Sequence, residues 1–180
     1  MLVLASASPQ RRAILEQLGV EFSVQAADVT ERSGGDPREL VEHNALLKAR
    51  AVAGQRVLGS DTAVAIDDEV LGKPADRAEA RRFLQRLSGR EHDVWSSVAV
   101  IEGGGVRTAT DSATVQFREL GAVDLDRYVD TGEWRGRAGG YAIQGRGATL
   151  VERIAGDYNC IVGLPVAALM RIAPGLLTEE

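Results

Sequence analysis

The chain has 180 residues, 44% of them hydrophobic, which is enough for one well-packed domain. Its formal net charge of −5 argues against a sequence-independent nucleic-acid binder, because such proteins present basic surfaces. The apolar stretch Met1–Ala5 is far too short to cross a bilayer, and the single cysteine, Cys160, excludes an internal disulfide. With no recognisable secretion signal, we expect a protein of the cytoplasm, with no membrane and no nucleic acid as partner.

The first part of the chain alternates predicted strands and helices. In chain order we predict a strand at Met1–Ala5, a helix at Pro9–Leu18, a strand at Val20–Ala26 and a loop from Asp28 to Gly35. Asp36, Pro37 and Glu39 then form a strong helix start, and this helix runs to about Gly54. The apolar segment Val57–Ile66 follows as a strand fit for the centre of a sheet.

The second part adds a hairpin to this alternation. We predict a helix opened by Asp76 and Glu79 and stopped at Ser88–Gly89, strands at Val94–Ile101 and Val106–Phe117, a short helix at Leu125–Val129, a strand at Thr149–Ile154 and a helix at Pro165–Ile172. The glycines of 103–105 indicate the hairpin turn. The pattern predicts a single α/β domain over residues 1–180 with a mixed sheet.

Two charged side chains stand where the pattern expects apolar ones. Lys48 and Asn44 fall within the apolar sector of the predicted helix after Asp36. A lysine there snorkels, pairs with an acid or lines a cleft. Asp61 interrupts the apolar strand Val57–Ile66, so it either meets a metal, a cation or solvent in a cleft, or caps a neighbouring loop at the strand end.

Two further clusters are suited to anions. Ser6, Arg11 and Arg12 lie between the first strand and the first helix, where backbone N–H groups favour anions and guanidinium groups bind phosphate. This segment lacks the glycines and the Lys-Ser/Thr pair of a Walker A loop. In the second cluster Pro74 rigidifies a loop that presents Lys73, although most such lysines are merely solvated.

Taken together, these segments resemble the Maf proteins over nearly the whole chain. The resemblance is carried by Leu4-Ala-Ser-Ala-Ser-Pro-Gln-Arg-Arg12, Asn44-Ala-Leu-Leu-Lys48, Gly59-Ser-Asp61-Thr62, Leu71-Gly-Lys73-Pro74, Leu87-Ser-Gly-Arg-Glu-His92-Asp-Val94, Ala138-Gly-Gly-Tyr-Ala-Ile-Gln144-Gly and Gly156-Asp-Tyr158, all in the family's order.

This resemblance implies a nucleoside triphosphate pyrophosphatase that releases the monophosphate and pyrophosphate. It implies the fold of the inosine triphosphate pyrophosphatases: an elongated, twisted mixed sheet flanked by helices, with a cleft between two lobes. It also implies a divalent cation (Mg²⁺ or Mn²⁺) and a cytoplasmic homodimer. The family's catalytic acid falls on Asp61, its phosphate-side residues on Ser6, Arg11, Lys48 and Lys73, and a further acidic position on Glu31.

From these positions we expect water to attack the α-phosphorus, with Asp61 orienting it and accepting its proton. Asp61 and Glu31 are the expected metal ligands, and Arg12 either shares phosphate binding with Arg11 or faces solvent. Two carboxylates with open water positions suit Mg²⁺, whereas Cys160 and two scattered histidines form no zinc pattern.

The choice of base is expected to depend on three further positions. The family's specificity positions fall on Gln10, Thr62 and Gln144, of which Thr62 and Gln144 match the branch that prefers dTTP and UTP. Gln10 departs from that branch's arginine, and Arg137 stands where a lysine is usual. Two alternatives stay open: a pyrophosphatase for 7-methyl-GTP or another modified nucleotide, and a non-catalytic, nucleotide-binding regulator of cell division.

Overall fold

The computed structural model describes residues 1–177 and contains one mixed sheet of seven strands. The strands are β1 (Leu2–Leu4), β2 (Phe22–Val24), β3 (Arg56–Ile66), β4 (Glu69–Leu71), β5 (Glu91–Glu102), β6 (Gly105–Phe117) and β7 (Val151–Ala155). Their order is β2-β1-β3-β5-β6-β7, with β4 paired to β3. β1 runs parallel to β2 and β3, and the other pairs are antiparallel. The predicted α/β fold with a mixed sheet is therefore confirmed.

Six α-helices flank the sheet within the described residues. They are α1 (Pro9–Gln17), α2 (Pro37–Arg50), α3 (Arg77–Leu87), α4 (Ala122–Asp130), α5 (Tyr158–Val162) and α6 (Val166–Ile172). The predicted N-caps of α2 and α3 are present, because Asp36 accepts a hydrogen bond from the Glu39 backbone and Asp76 from that of Glu79. No helix within residues 1–177 is both long and apolar enough to cross a bilayer.

A close approach between α2 and β3 fixes how this helix lies on the sheet. A Cβ atom added to Gly59 of β3 would lie 2.1 Å from the Ala45 carbonyl oxygen and 2.7 Å from the Ala49 nitrogen, both in α2. Only glycine allows the two backbones to come so near. The helix is thereby pressed onto the strand at the level of Asn44 and Lys48.

The apolar core has two large clusters, one toward each end of the sheet. The first joins β5, β6, α3 and α4 around fully buried residues such as Phe117 and Leu84. The second joins β1, α1 and α6 around Leu4, Leu15 and Leu169. Burial of these side chains is the main driving force for folding.

Some predicted boundaries were wrong. The strand predicted at Thr149–Ile154 is Val151–Ala155, because residues 146–150 form a 3₁₀ turn. The predicted strand Val20–Ala26 shrinks to Phe22–Val24, and the helix predicted to reach Gly54 ends at Arg50. The short elements β4 and α5 were not predicted, since three and five residues are too few to show a periodic pattern.

Candidate active site

A cavity of about 510 Å³ opens between segments from both halves of the chain. Its size lies within the range of small-molecule sites, about 300–1,000 Å³. Nine of the ten side chains expected from the sequence to bind substrate or metal line it: Ser6, Gln10, Arg11, Glu31, Lys48, Asp61, Thr62, Lys73 and Gln144. The structure thus brings distant parts of the chain to one place.

At the centre of the cavity, Lys48 joins two carboxylates. The Lys48 Nζ atom lies 2.7 Å from Asp61 Oδ1 and 3.0 Å from Glu31 Oε2. The side chains of Lys48 and Asp61 are about nine-tenths buried, whereas that of Glu31 is 38% exposed. The ammonium group therefore neutralises a buried carboxylate that would otherwise be costly to desolvate.

Asn44 holds the second oxygen of Asp61 and the loop that carries Glu31. Its Nδ2 atom donates to Asp61 Oδ2 at 3.0 Å and to the Arg32 carbonyl at 3.1 Å, and its Oδ1 accepts from the Arg32 backbone at 2.9 Å. Asn44 and Lys48 are one helical turn apart on α2, so they face Asp61 together. The sequence placed Asn44 in the buried sector of this helix but did not identify it as a site residue.

Arg11 is fixed by three acceptors. Its Nε donates to the Gly163 carbonyl at 2.8 Å, its Nη1 to Ser6 Oγ at 3.0 Å and its Nη2 to Thr62 Oγ1 at 3.2 Å. Because a guanidinium group has five N–H donors, two remain for a ligand. Burial lowers the pKa of Arg11 from its ordinary value, while the negative charges of Asp61 and Glu31 oppose that shift.

The hydroxyl of Thr62 continues this network into the sheet. Thr62 Oγ1 lies 2.8 Å from Ser96 Oγ, which in turn donates to the Cys160 carbonyl at 2.8 Å. With its proton directed to Ser96, Thr62 accepts the hydrogen bond from Arg11. A position expected to select the base is thus also a support for the arginine.

One wall of the cavity is a buried aromatic group. Tyr141 lines the cavity, and its hydroxyl lies 2.8 Å from His92 Nε2. The rings of His92, Tyr141 and Phe117 pack edge to face in pairs. Burial lowers the pKa of His92 to about 4, so the ring is neutral, and burial raises the pKa of Tyr141. His92 is therefore a core residue.

Gln10, Thr62 and Gln144, the expected specificity positions, differ in surroundings. Gln144 is exposed at the cavity edge, so both its amide donor and its acceptor are available. Gln10 is half-buried, and its Oε1 accepts from Ser8 Oγ at 3.1 Å. Gln10 and Gln144 therefore offer neutral hydrogen-bonding groups rather than charges toward a ligand.

Arg12 is the one expected site residue that the structure leaves out of the cavity. It is exposed on α1 and lines a separate shallow depression with Glu16, Phe22 and Val24. Around the α1 axis the Arg12 side chain points about 100° from that of Arg11, toward this depression. The alternative expectation, that Arg12 faces solvent, agrees with this placement.

The cavity also contains Arg135, which the sequence did not identify, and Arg137, which was noted only as standing where a lysine is usual. Arg135 and Arg137 line it on the segment before Tyr141. The Arg135 guanidinium lies 4.7 Å from the centre of the Trp134 ring, a cation–π contact. The Arg137 Nε atom is buried and has no hydrogen-bond partner among the described residues. The clustering of basic residues in Trp134-Arg-Gly-Arg137 was the available sequence signal.

Residues outside the site have structural roles. Cys160 is fully buried, and burial raises the pKa of its thiol to about 12, so it stays protonated. Asp157 caps α5 by accepting from the Asn159 backbone at 2.9 Å. No cluster of three or more His, Cys, Asp or Glu side chains within residues 1–177 is arranged to hold a metal ion.

Comparison with known proteins shows the family of this chain. A sequence model of the Maf-like proteins matches residues 1–174. The chain is 48% identical over 171 residues to a dTTP/UTP pyrophosphatase of Symbiobacterium thermophilum, covering 92% of this chain and 88% of that protein. It is 48% identical over 181 residues to one of Anaeromyxobacter dehalogenans strain 2CP-1, covering 96% and 93%. A third, from Dictyoglomus thermophilum, is 42% identical over 177 residues, covering 93% and 92%. With a family model matched over nearly its full length and relatives this similar, the chain belongs to the Maf family.

Proposed function

We propose that this protein hydrolyses dTTP and UTP to the monophosphate and pyrophosphate. The observation that carries the proposal is the buried carboxylate of Asp61, held by Lys48 and Asn44 at the wall of a cavity that cationic side chains also line. A site that only bound an anion would gain nothing from a buried carboxylate facing it. The names of the three relatives support the choice of substrate.

In the proposed reaction, water attacks the α-phosphorus and pyrophosphate leaves. Asp61 orients the water and accepts its proton, since the hydrogen bond from Asn44 and the ion pair with Lys48 fix both carboxylate oxygens. Lys48 and Arg11 are placed to offset negative charge that develops on the phosphates. Such fixed dipoles and charges stabilise the transition state without reorganising.

A divalent cation, Mg²⁺ or Mn²⁺, is part of the proposal. Glu31 Oε2 and Asp61 Oδ1 both lie within 3.0 Å of the Lys48 ammonium, so their oxygens already converge on one cation. Two carboxylates completed by waters and substrate phosphates are the usual environment of Mg²⁺. The donor set therefore fits, and the bound ion would lower the pKa of a coordinated water and neutralise phosphate charge.

For base selection we propose that Gln144 contacts the pyrimidine edge, because its exposed amide offers one donor group and one acceptor. We propose that Thr62 affects base selection indirectly, because its hydroxyl orients Arg11. This role would explain why a specificity position lies next to a phosphate-binding arginine. We also propose, from the family resemblance alone, a cytoplasmic homodimer. Sedimentation velocity tests the dimer.

The test is a panel of nucleotides with both pyrophosphate and orthophosphate measured. We expect the highest kcat/KM for dTTP and UTP, stoichiometric pyrophosphate and loss of activity with EDTA. A maximum for 7-methyl-GTP would move the protein to the modified-nucleotide branch. Nucleotide binding with no release of pyrophosphate would contradict an enzymatic role and favour a regulator.

A further inference from the structure

Three cations on one wall of the cavity have no acidic partner. Lys73, Arg135 and Arg137 all line the cavity, and no carboxylate within residues 1–177 forms a salt bridge with any of them. By contrast, many surface arginines of this chain are paired, as Arg118 is with Asp124 at 2.8 Å. The wall therefore carries three positive charges that no carboxylate of the described part of the chain pairs with.

The cations near Asp61 are balanced. Lys48 contacts both Asp61 and Glu31, and the same two carboxylates interact electrostatically with Arg11. Without the proposed divalent cation, two positive and two negative charges leave this inner group neutral. In a chain with a formal net charge of −5, it offers little net attraction for a nucleoside triphosphate, whose triphosphate carries about four negative charges at neutral pH.

Backbone contacts hold the three unpaired cations near one another. The Gly139 nitrogen donates to the Gly72 carbonyl at 3.1 Å, which ties the segment after Arg137 to the loop of Lys73. The Arg135 guanidinium is held over the Trp134 ring at 4.7 Å. Arg137 lines the cavity as well, and its buried Nε atom has no hydrogen-bond acceptor among residues 1–177.

We propose that Arg135 and Arg137, together with Lys73, bind the β- and γ-phosphates of the substrate and the pyrophosphate product. This assignment rests on the proposed function. Guanidinium groups bind phosphate oxygens in bidentate fashion, and positioned arginines lose less freedom on binding than solvated lysines. The cluster supplies the charge that the inner group lacks, and it separates capture of the polyanion from the chemistry at Asp61.

The experiment compares the variants Arg135→Gln and Arg137→Gln with Arg146→Gln, an exposed arginine of the same region that does not line the cavity. Inorganic pyrophosphate and thymidine monophosphate are titrated into each protein by calorimetry, in buffer with EDTA. We expect each cavity variant to bind pyrophosphate about tenfold more weakly, as the loss of a charge-assisted hydrogen bond predicts. Thymidine monophosphate should bind within about twofold of the wild type, because the lost charges lie toward the other phosphates.

The two proposals fail in different ways. Unchanged pyrophosphate affinity in both cavity variants, or an equal loss in Arg146→Gln, would overturn the assignment even if the protein hydrolyses dTTP. A wild-type protein that binds pyrophosphate through these arginines but hydrolyses no nucleotide would support the assignment and refute the proposed reaction. If the cavity variants bound thymidine monophosphate as much more weakly as they bind pyrophosphate, the assignment would also be overturned. Disruption of the whole cavity would explain that result.

Discussion

Lys48 shows how a single residue can hold both the fold and the candidate site. Its ammonium joins Asp61, from the middle of β3, to Glu31, from the loop before α2. Both Lys48 and Asp61 could be predicted as unusual from the sequence, because each is charged within an apolar pattern. Their pairing could not, since it depends on how closely α2 approaches β3 at Gly59.

Replacing Lys48 with Met should lower the free energy of unfolding by about 3 kcal/mol, because Asp61 stays buried without its cation. The double variant Lys48→Met/Asp61→Asn should also have a lower free energy of unfolding. Its decrease should be smaller, by at least about 1 kcal/mol, than the sum of the decreases in the two single variants. Urea unfolding measures all three. Arg38→Met breaks an exposed pair with Glu42 and should cost less than about 1 kcal/mol. If the decrease in the double variant equals the sum of the decreases in the two single variants, Lys48 and Asp61 are not energetically coupled.

His92 gives the fold a sensitivity to acid. Its pKa of about 4 in the folded protein lies below the ordinary value of 6.5, so the unfolded chain binds protons more readily. The contribution of His92 to the free energy of unfolding is therefore fully present above pH 6.5 and is lost as the pH drops toward 4. Between pH 7 and pH 5, His92 should account for a loss of about 2 kcal/mol, by the linkage of titration to folding.

The variant His92→Gln should lack this part of the pH dependence, as measured by urea unfolding at pH 7 and pH 5. His43→Gln, at an exposed site, is the control and should keep it. Parallel losses in wild type and His92→Gln would mean that other groups cause the acid sensitivity.

At the scale of elements, the sequence predicted helices and strands well where a cap or a long pattern exists. Asp36 and Asp76 marked the starts of α2 and α3, and the glycines between β5 and β6 marked the hairpin. Segments held by tertiary contacts were missed. The 3₁₀ turns at 138–140 and 146–150 depend on contacts such as the bond between Gly139 and Gly72, which no local pattern reveals.

The contact between α2 and β3 leads to a prediction about Gly59. Gly59→Ala should destabilise the fold by about 3 kcal/mol, because the added methyl group overlaps backbone atoms of α2 that cannot yield without moving the helix. The shift should also separate Lys48 from Asp61 and lower kcat. Gly105→Ala, whose nearest atom would be 3.4 Å away, is a matched control. Wild-type stability and activity in Gly59→Ala would show that the helix position is not fixed by this contact.

At the scale of the whole molecule, the cavity is built from segments that belong to both halves of the chain. Arg11 and Lys48 come from the N-terminal half, whereas Arg137, Tyr141 and Gln144 come from the C-terminal half. The family resemblance implied a cleft with Arg11, Lys48 and Gln144, but it assigned no role there to Arg137 or Tyr141. The charge balance within it, neutral near Asp61 and positive at Arg135 and Arg137, required the contacts of the folded chain.

A ligand that bridges both halves should therefore stabilise the molecule. A dTTP analogue with a methylene group between the α- and β-phosphates, at a hundred times its Kd, should add about 2.7 kcal/mol and raise Tm by about 5–10 °C. Differential scanning calorimetry measures the shift, and adenosine serves as the unmatched ligand. An equal shift with adenosine would contradict selective binding in this cavity.

The most direct test of the account is the rate of pyrophosphate release from dTTP by Asp61→Asn. The amide keeps the size of the side chain but cannot accept the proton of water, so kcat should fall about a thousandfold while the protein stays folded. Asp68→Asn, in an exposed turn, is the control and should keep wild-type activity. A folded Asp61→Asn protein that releases pyrophosphate at the wild-type rate would contradict the assignment of Asp61.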